Sequence, residues 1–300
     1  MWQQLLNNFK QGDIKALART ISLVENEHEG YFEFLQQLPA SPTPLIGITG
    51  PPGAGKSTLV DALVGQMVAQ QKKVAVVCVD PSSPFNLGAL LGDRIRMSQW
   101  YNNPNVYIRS LATRGSLGGL HPKIIEICDV VRTALFDYVI VETVGVGQSE
   151  VEIAGLADCT MVVVVPEAGD EVQTMKAGLM EIADIFVVNK ADRPGAAKFV
   201  HNLRQIATTT GAHNTTPVLK TVATTNTGIA QLFNSIVEQL AVTNRQNRRT
   251  LLLVQRAYFL IAQYRMHNVK KEDLKQAINK QVNSGMPFNL YKFVNQYLGG

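Results

Sequence analysis

Leu45-Ile-Gly-Ile-Thr49-Gly50-Pro51-Pro52-Gly53-Ala54-Gly55-Lys56-Ser57-Thr58 decides the fold. An apolar run of strand length enters a glycine-rich turn, and a helical run, Leu59–Val68, leaves it. That order of strand, G-x-x-x-x-G-K-[ST] and helix is what a phosphate-binding loop requires. The glycines let the backbone curl so that successive N–H groups and the helix N-terminus face a phosphate chain. Lys56 balances charge on the β- and γ-phosphates, and the Ser57 hydroxyl can ligate Mg²⁺. The whole stretch Gly50–Thr58 is therefore expected to cradle a nucleotide.

Outward from this loop, apolar runs of strand length alternate with helical segments. The runs are Leu45–Thr49, Val74–Val79, Val106–Ser110, Tyr138–Glu142, Thr160–Val165, Ile185–Asn189 and Pro217–Thr221. Continuous rather than alternating hydrophobicity implies strands buried on both faces, hence an α/β fold of the P-loop NTPase kind: a mostly parallel sheet with helices on both sides. Before it, Ile14, Leu17, Ala18, Ile21 and Val24 fall on one face of a helical segment, and Pro39-Ala-Ser-Pro-Thr-Pro44 ends it. After Gly228 the chain reads as helical, and Leu251, Val254, Tyr258 and Ile261 repeat at 3-4-3 spacing, a stripe that suits either an internal core or a dimer partner. The expected division is an N-terminal helical extension over residues 1–40, a nucleotide domain over 41–240 and a C-terminal helical extension over 241–300.

Composition sets the class. With 300 residues and 46% hydrophobic content there is ample core for one large domain with additions. The formal charge, 28 minus 24 or +4, does not suggest nucleic-acid binding, and no apolar run approaches the roughly 20 residues that span a bilayer. Cys78, Cys128 and Cys159 stand apart in apolar runs, as buried thiols of a reducing compartment would. A cytoplasmic location, with no membrane and no nucleic-acid partner, is the expectation.

The base is addressed by Asn189-Lys190-Ala191-Asp192 at the end of a strand. A carboxylate at Asp192 can accept from both N1–H and N2–H of guanine, whereas adenine presents a different edge, so GTP or GDP is expected. Thr221-Val222-Ala223 followed by Gly228 fits the loop whose backbone N–H, that of Ala223, reads guanine O6. The strand Tyr138–Val141 ends in Glu142-Thr-Val-Gly145, where P-loop proteins place an acid near Mg²⁺ and a glycine near the γ-phosphate. Glu142 can reach the metal directly or through water. Val146 stands where a water-orienting Gln is found in Ras-type enzymes, so slow intrinsic hydrolysis is expected. Asp80 and Asp93 sit in turn-like surroundings, and local sequence alone leaves them either ligand-facing or ordinary turn residues. Arg94, Arg109 and Arg114 are candidates for a charge-stabilising arginine, with surface ion pairs as the alternative use.

Together these residues resemble the MeaB/ArgK family of GTPases. The resemblance extends beyond generic nucleotide motifs to Ala16-Leu-Ala-Arg19, Leu23-Val-Glu-Asn26, Asp80-Pro-Ser-Ser-Pro84, Leu91-Gly-Asp-Arg94, Arg109-Ser-Leu-Ala-Thr-Arg-Gly115, Glu142–Glu150 and Gln173-Thr-Met-Lys176. It implies a Mg²⁺-dependent GTPase that acts as chaperone of an adenosylcobalamin-dependent acyl-CoA mutase such as methylmalonyl-CoA mutase. It implies, too, that the protein is a homodimer. On the same basis Ser57, Asp80, Asp93 and Glu142 become the metal set, and Lys56, Asp93, Glu142 and Gly145 the catalytic set. Glu167–Lys176 becomes an additional switch that reports nucleotide state to the mutase. Two other readings share the phosphate loop. A nickel metallochaperone GTPase would be expected to carry a His-rich tract, whereas His28, His121, His201, His213 and His267 are scattered. A kinase acting on a transport protein would use ATP, against which Asn189–Asp192 argues.

Overall fold

The computed structural model describes residues 1–81, 97–114, 120–145, 149–168, 180, 182–210, 216–241, 246–283 and 288–298. Two compact units divide the chain, Met1–Leu252 and Leu253–Gly300.

The first unit is built on a seven-stranded parallel sheet: β1 (Leu45–Thr49), β2 (Val74–Asp80), β3 (Val106–Ala112), β4 (Tyr138–Glu142), β5 (Cys159–Val164), β6 (Ile185–Val188) and β7 (Val218–Lys220). Its order is β3-β2-β4-β1-β5-β6-β7. Each expected run forms a strand, and β1, β2, β5 and β6 are buried at every position, as continuous hydrophobicity requires. The order reverses around β1, with β4 on one side and β5 on the other, so the ligand crevice lies beyond the carboxyl ends of these strands.

One face is covered by α4 (Lys56–Ala69) and α8 (Ile229–Ala241), whose Leu59, Leu63, Met67, Leu232 and Ile236 close a core with Ile46, Val76, Ile140 and Met161. The opposite face carries α5 (Ile124–Arg132), α6 (Ser149–Leu156) and α7 (Ala196–Thr210), the last packing Phe199 and Leu203 on Phe186 and Val188. Helix α6 lies unusually close to β1. A Cβ at Gly47 would stand 2.6 Å from Ile153 Cγ1 and 2.8 Å from Ala157 Cβ, so only glycine admits that approach.

The N-terminal helices α1 (Trp2–Lys10), α2 (Ile14–Glu25) and α3 (Tyr31–Gln36) form a further layer outside α5. Asp13 caps α2, accepting from Lys15 N at 2.8 Å and Ala16 N at 3.0 Å. The face Leu17, Ile21 and Val24 is fully buried. Cys78, Cys128 and Cys159 are all core residues.

The second unit takes in most of α9 (Gln246–Met266) together with α10 (Lys271–Val282) and α11 (Leu290–Leu298). Phe293 is buried between Phe288 and Tyr297. Along α9, Val254, Tyr258 and Ile261 are exposed, Tyr258 to 75%. Among the described residues no helix is long and apolar enough to cross a membrane.

Candidate functional site

The phosphate loop leaves β1 at Gly50, whose φ of +139° places it where an L side chain is strained and would strike the Val163 carbonyl. Lys56 opens α4, is almost fully buried, and donates to the carbonyls of Gly50 at 2.9 Å and Pro51 at 3.1 Å. Its ammonium thus lies under the loop that its sequence position predicted it would serve. Gly145 (φ +82°) comes up against the same ammonium, and a Cβ there would collide with the Gly50 carbonyl and Lys56 Nζ.

Beside them, Ser57 Oγ donates to Glu142 Oε1 at 2.7 Å, both residues buried. The contact follows from topology: Glu142 ends β4, which lies next to β1, and Ser57 sits in the first turn of the helix that β1 feeds. Asp80 is the last residue of β2 and buried. Cys78 pairs with Glu142 across the β2–β4 ladder, so Asp80, two residues on, shares the face of Glu142 at the sheet's carboxyl edge. Thr143 Oγ1 donates to Thr49 Oγ1 at 3.0 Å and ties the ends of β4 and β1 together, a link that local sequence did not reveal. Ser57, Asp80 and Glu142 offer a set of oxygen donors, the kind a hard divalent cation takes when phosphate oxygens and water complete its shell. Among the described residues no three His, Cys, Asp or Glu side chains form a self-sufficient metal cage. Asp93, Arg94, Val146 and residues 169–176 of the expected additional switch lie outside the described residues.

The 189–192 and 221–223 loops meet the phosphate loop through a buried amide and a lysine. Asn189, 2% exposed, donates from Nδ2 to the Ala54 carbonyl at 2.9 Å, and its Oδ1 accepts from Thr221 Oγ1 at 3.1 Å and Ala223 N at 3.3 Å. Lys190, left-handed at φ +54°, donates from Nζ to the Gly53 carbonyl at 2.7 Å. Ala191 N donates to Thr221 O at 3.0 Å, which brings the 189–192 and 221–223 loops side by side. Val222 opens the second loop with an extended backbone, its N–H bonded to Thr227 O at 3.0 Å. Asp192 is exposed. Next to it Arg193 pairs with Glu167, and that hydrogen bond holds the Glu167 carboxyl below its usual range.

Arg109 and Arg114, two of the three arginines considered for charge stabilisation, are committed elsewhere. Both engage Glu25 at the end of α2, Arg109 at 2.7 Å and Arg114 at 2.9 Å. The cluster continues into His121, 2% exposed, whose Nδ1 accepts from Lys123 N at 3.0 Å and whose pKa burial lowers to about 4. Nearby, burial raises the Glu126 carboxyl above its usual range. The motifs Leu23–Asn26 and Arg109–Gly115 held the sequence signal for this cluster, but nothing local said that they meet.

Phosphate loop, acid-bearing strand end and the adjoining 189–192 and 221–223 loops at the carboxyl edge of a parallel sheet fit a P-loop nucleotide hydrolase of the GTPase class. Residues 17–278 match the family model described as methylmalonyl-CoA mutase-associated GTPase MeaB, and the chain belongs to that family. It is a GTPase. A Pyrococcus abyssi protein bearing a GTPase name is 47% identical over 255 residues, 83% of this chain and 79% of that one. A fused isobutyryl-CoA mutase of Geobacillus kaustophilus is 41% identical over 203 residues, 64% of this chain but 19% of the longer one. Among solved structures, a LAO/AO transport system kinase superposes with a TM-score of 0.69 at 25% identity, covering 99% of this chain and 96% of that one.

Proposed function

We propose that this GTPase is a nucleotide-dependent chaperone of an adenosylcobalamin-dependent acyl-CoA mutase, of which methylmalonyl-CoA mutase is the leading client. It gates cobalamin loading and protects the loaded enzyme. The observation that carries the reading is the fused relative. A segment 41% identical to this chain occupies 19% of a protein named for its mutase, and a GTPase joined covalently to a mutase is held at high effective concentration beside it. The family description, which couples GTPase and mutase, points the same way.

In this reading Gly50–Thr58 wraps the phosphates and Asp192 accepts from guanine N1–H and N2–H. The Ala223 N–H, whose 3.3 Å contact to Asn189 is long, turns to guanine O6. Ser57, Asp80 and Glu142, with Asp93, would hold Mg²⁺, and the oxygen chemistry of these side chains fits that ion, which would supply positive charge to the phosphate oxygens. A water attacks the γ-phosphorus, the bond to the β-phosphate oxygen breaks, and GDP leaves with the charge that Lys56 and the loop amides stabilise. Gly145, packed against Lys56, is placed to register loss of the γ-phosphate. Glu167, paired to Arg193 beside the base loop, begins the segment through which the client reads that state.

The exposed stripe Val254, Tyr258 and Ile261 supports a homodimer formed through α9. The three cysteines, isolated in sequence, go with a cytoplasmic location. The decisive experiment is capture of partners from cell extract on the protein loaded with a non-hydrolysable GTP analogue and, separately, with GDP. Turnover of GTP is then assayed with the mutase recovered. Recovery of a mutase in a nucleotide-dependent manner is expected; its absence in both states would overturn the chaperone role and leave the GTPase intact.

A further inference from the structure

Glu25 closes α2, yet a carboxylate at a helix C-terminus is opposed by the macrodipole. It is nonetheless largely buried, its side chain 12% exposed, so other groups must compensate. Two cations do. Arg109, from the middle of β3, donates from Nη2 to Glu25 Oε2 at 2.7 Å and to Ser22 Oγ at 3.2 Å. Arg114, just beyond β3, donates from Nη2 to Glu25 Oε1 at 2.9 Å and to Asn26 Oδ1 at 3.2 Å. Its Nη1 also meets the Glu25 carbonyl at 3.4 Å, so the guanidinium caps the carbonyl end of α2. On the far side of the β3–α5 connection, buried His121 brings Nε2 to 3.7 Å from Glu25 Oε1. Nδ1 accepts from Lys123, so the neutral ring carries its proton on Nε2, which stands beyond hydrogen-bond reach of that carboxylate. One side chain from the N-terminal layer therefore grips the end of β3 through two arginines.

The grip reaches the nucleotide face by a short path. Arg114 is held in the left-handed region at φ +47°, where a non-glycine residue is strained. The residue before it, Thr113, donates from its N–H to the carbonyl of Asp80 at 3.0 Å, and Ala112 pairs with Asp80 in the ladder. Releasing Arg114 from Glu25 frees a strained residue one step from the backbone that carries Asp80.

We infer that Glu25 is a positioning residue for the metal edge of the site. Through Arg114 and Thr113 it fixes the Asp80 backbone, so the N-terminal helical layer tunes Mg²⁺-dependent retention of nucleotide. The inference rests on the reading that Asp80 faces Mg²⁺. Its measure is the dissociation rate of a fluorescent GDP analogue from the full chain, followed in Mg²⁺ and in EDTA. Glu25→Gln, which keeps the shape and removes the charge, accelerates release roughly tenfold in Mg²⁺, the loss of one charge-assisted contact, and leaves the EDTA rate unchanged. Arg114→Gln reproduces this from the more exposed partner and serves if Glu25→Gln fails to fold; Glu29→Gln, on the exposed turn after α2, matches wild type. Equal acceleration in Mg²⁺ and EDTA would mean general loosening and overturn the inference, as would wild-type rates for both variants. A wild-type rate indifferent to Mg²⁺ would overturn the metal reading of Asp80 and this inference with it.

Discussion

Replacing Asn189 with alanine separates two roles that nucleotide-binding motifs usually leave entangled. The side chain is buried and its amide serves the protein before any nucleotide arrives: Nδ2 satisfies the Ala54 carbonyl at 2.9 Å, and Oδ1 satisfies Thr221 Oγ1 at 3.1 Å. Truncation strands both partners in a site too enclosed for easy solvation. Each buried group left unpaired costs about 1–3 kcal/mol, and the 3.3 Å contact to Ala223 N adds little. The nucleotide-free protein should thus lose about 2–5 kcal/mol. At about 2–4 °C per kcal/mol for a unit of this size, the midpoint of thermal unfolding falls by about 4–20 °C. Trp2 and Trp100, the two tryptophans of the chain, both lie in the nucleotide unit, so intrinsic fluorescence during urea unfolding reports that unit alone. Asn189→Asp should be at least as damaging, because it sets a carboxylate oxygen against the Ala54 carbonyl. If the nucleotide-free Asn189→Ala protein unfolds within about 0.5 kcal/mol of wild type while nucleotide affinity collapses, the latch argued here does not exist.

Two further outcomes follow from the geometry. Gly145→Ala should lower GTP turnover at least about a hundredfold while leaving guanine selectivity intact, because the added methyl strikes Lys56 Nζ and the Gly50 carbonyl rather than the base loops; single-turnover phosphate release with GTP checks it, and turnover near wild type would refute it. For His121, burial lowers the folded pKa from 6.5 to about 4, so the unfolded chain binds the proton first and stability declines as pH falls from about 6.5 to about 4, being intact above that window. Stability of wild type relative to His121→Gln, read by urea unfolding, should therefore drop by up to about 3 kcal/mol across the window; a pH-independent difference would contradict the burial argument.

The sheet was legible because its residues declare themselves locally. Runs such as Val74–Val79 and Ile185–Asn189 are apolar on both faces and lie within one or two residues of the strands they form. The phosphate loop was legible for a related reason, since its glycines and Lys56 act within one turn of chain. Asn189 was read as part of the guanine motif, but its hold on Ala54 spans 135 residues and has no local signature. Arg109 and Arg114 show the same limit more sharply. Two arginines, one within β3 and one just past it, suit either charge stabilisation or ion pairing until the carboxylate that neutralises them, 84 and 89 residues away, is placed. Periodicity likewise identified α9 as a helix with an apolar stripe, while whether anything in the chain covers the stripe is a property of packing that spacing does not encode.

Gly47 would be scored as a weak point by any scale of strand propensity, a bare backbone in the central strand of the sheet. Its missing side chain is instead a spacer dimension. It sets how low α6 rides on β1, and with that the height at which Ser149 begins the helix above the edge where Glu142 and Gly145 lie. A protein engineer seeking to stabilise this sheet would reach first for valine at that position. The gain in strand preference would be spent lifting the helix, and the layer spacing of the nucleotide edge would shift with it.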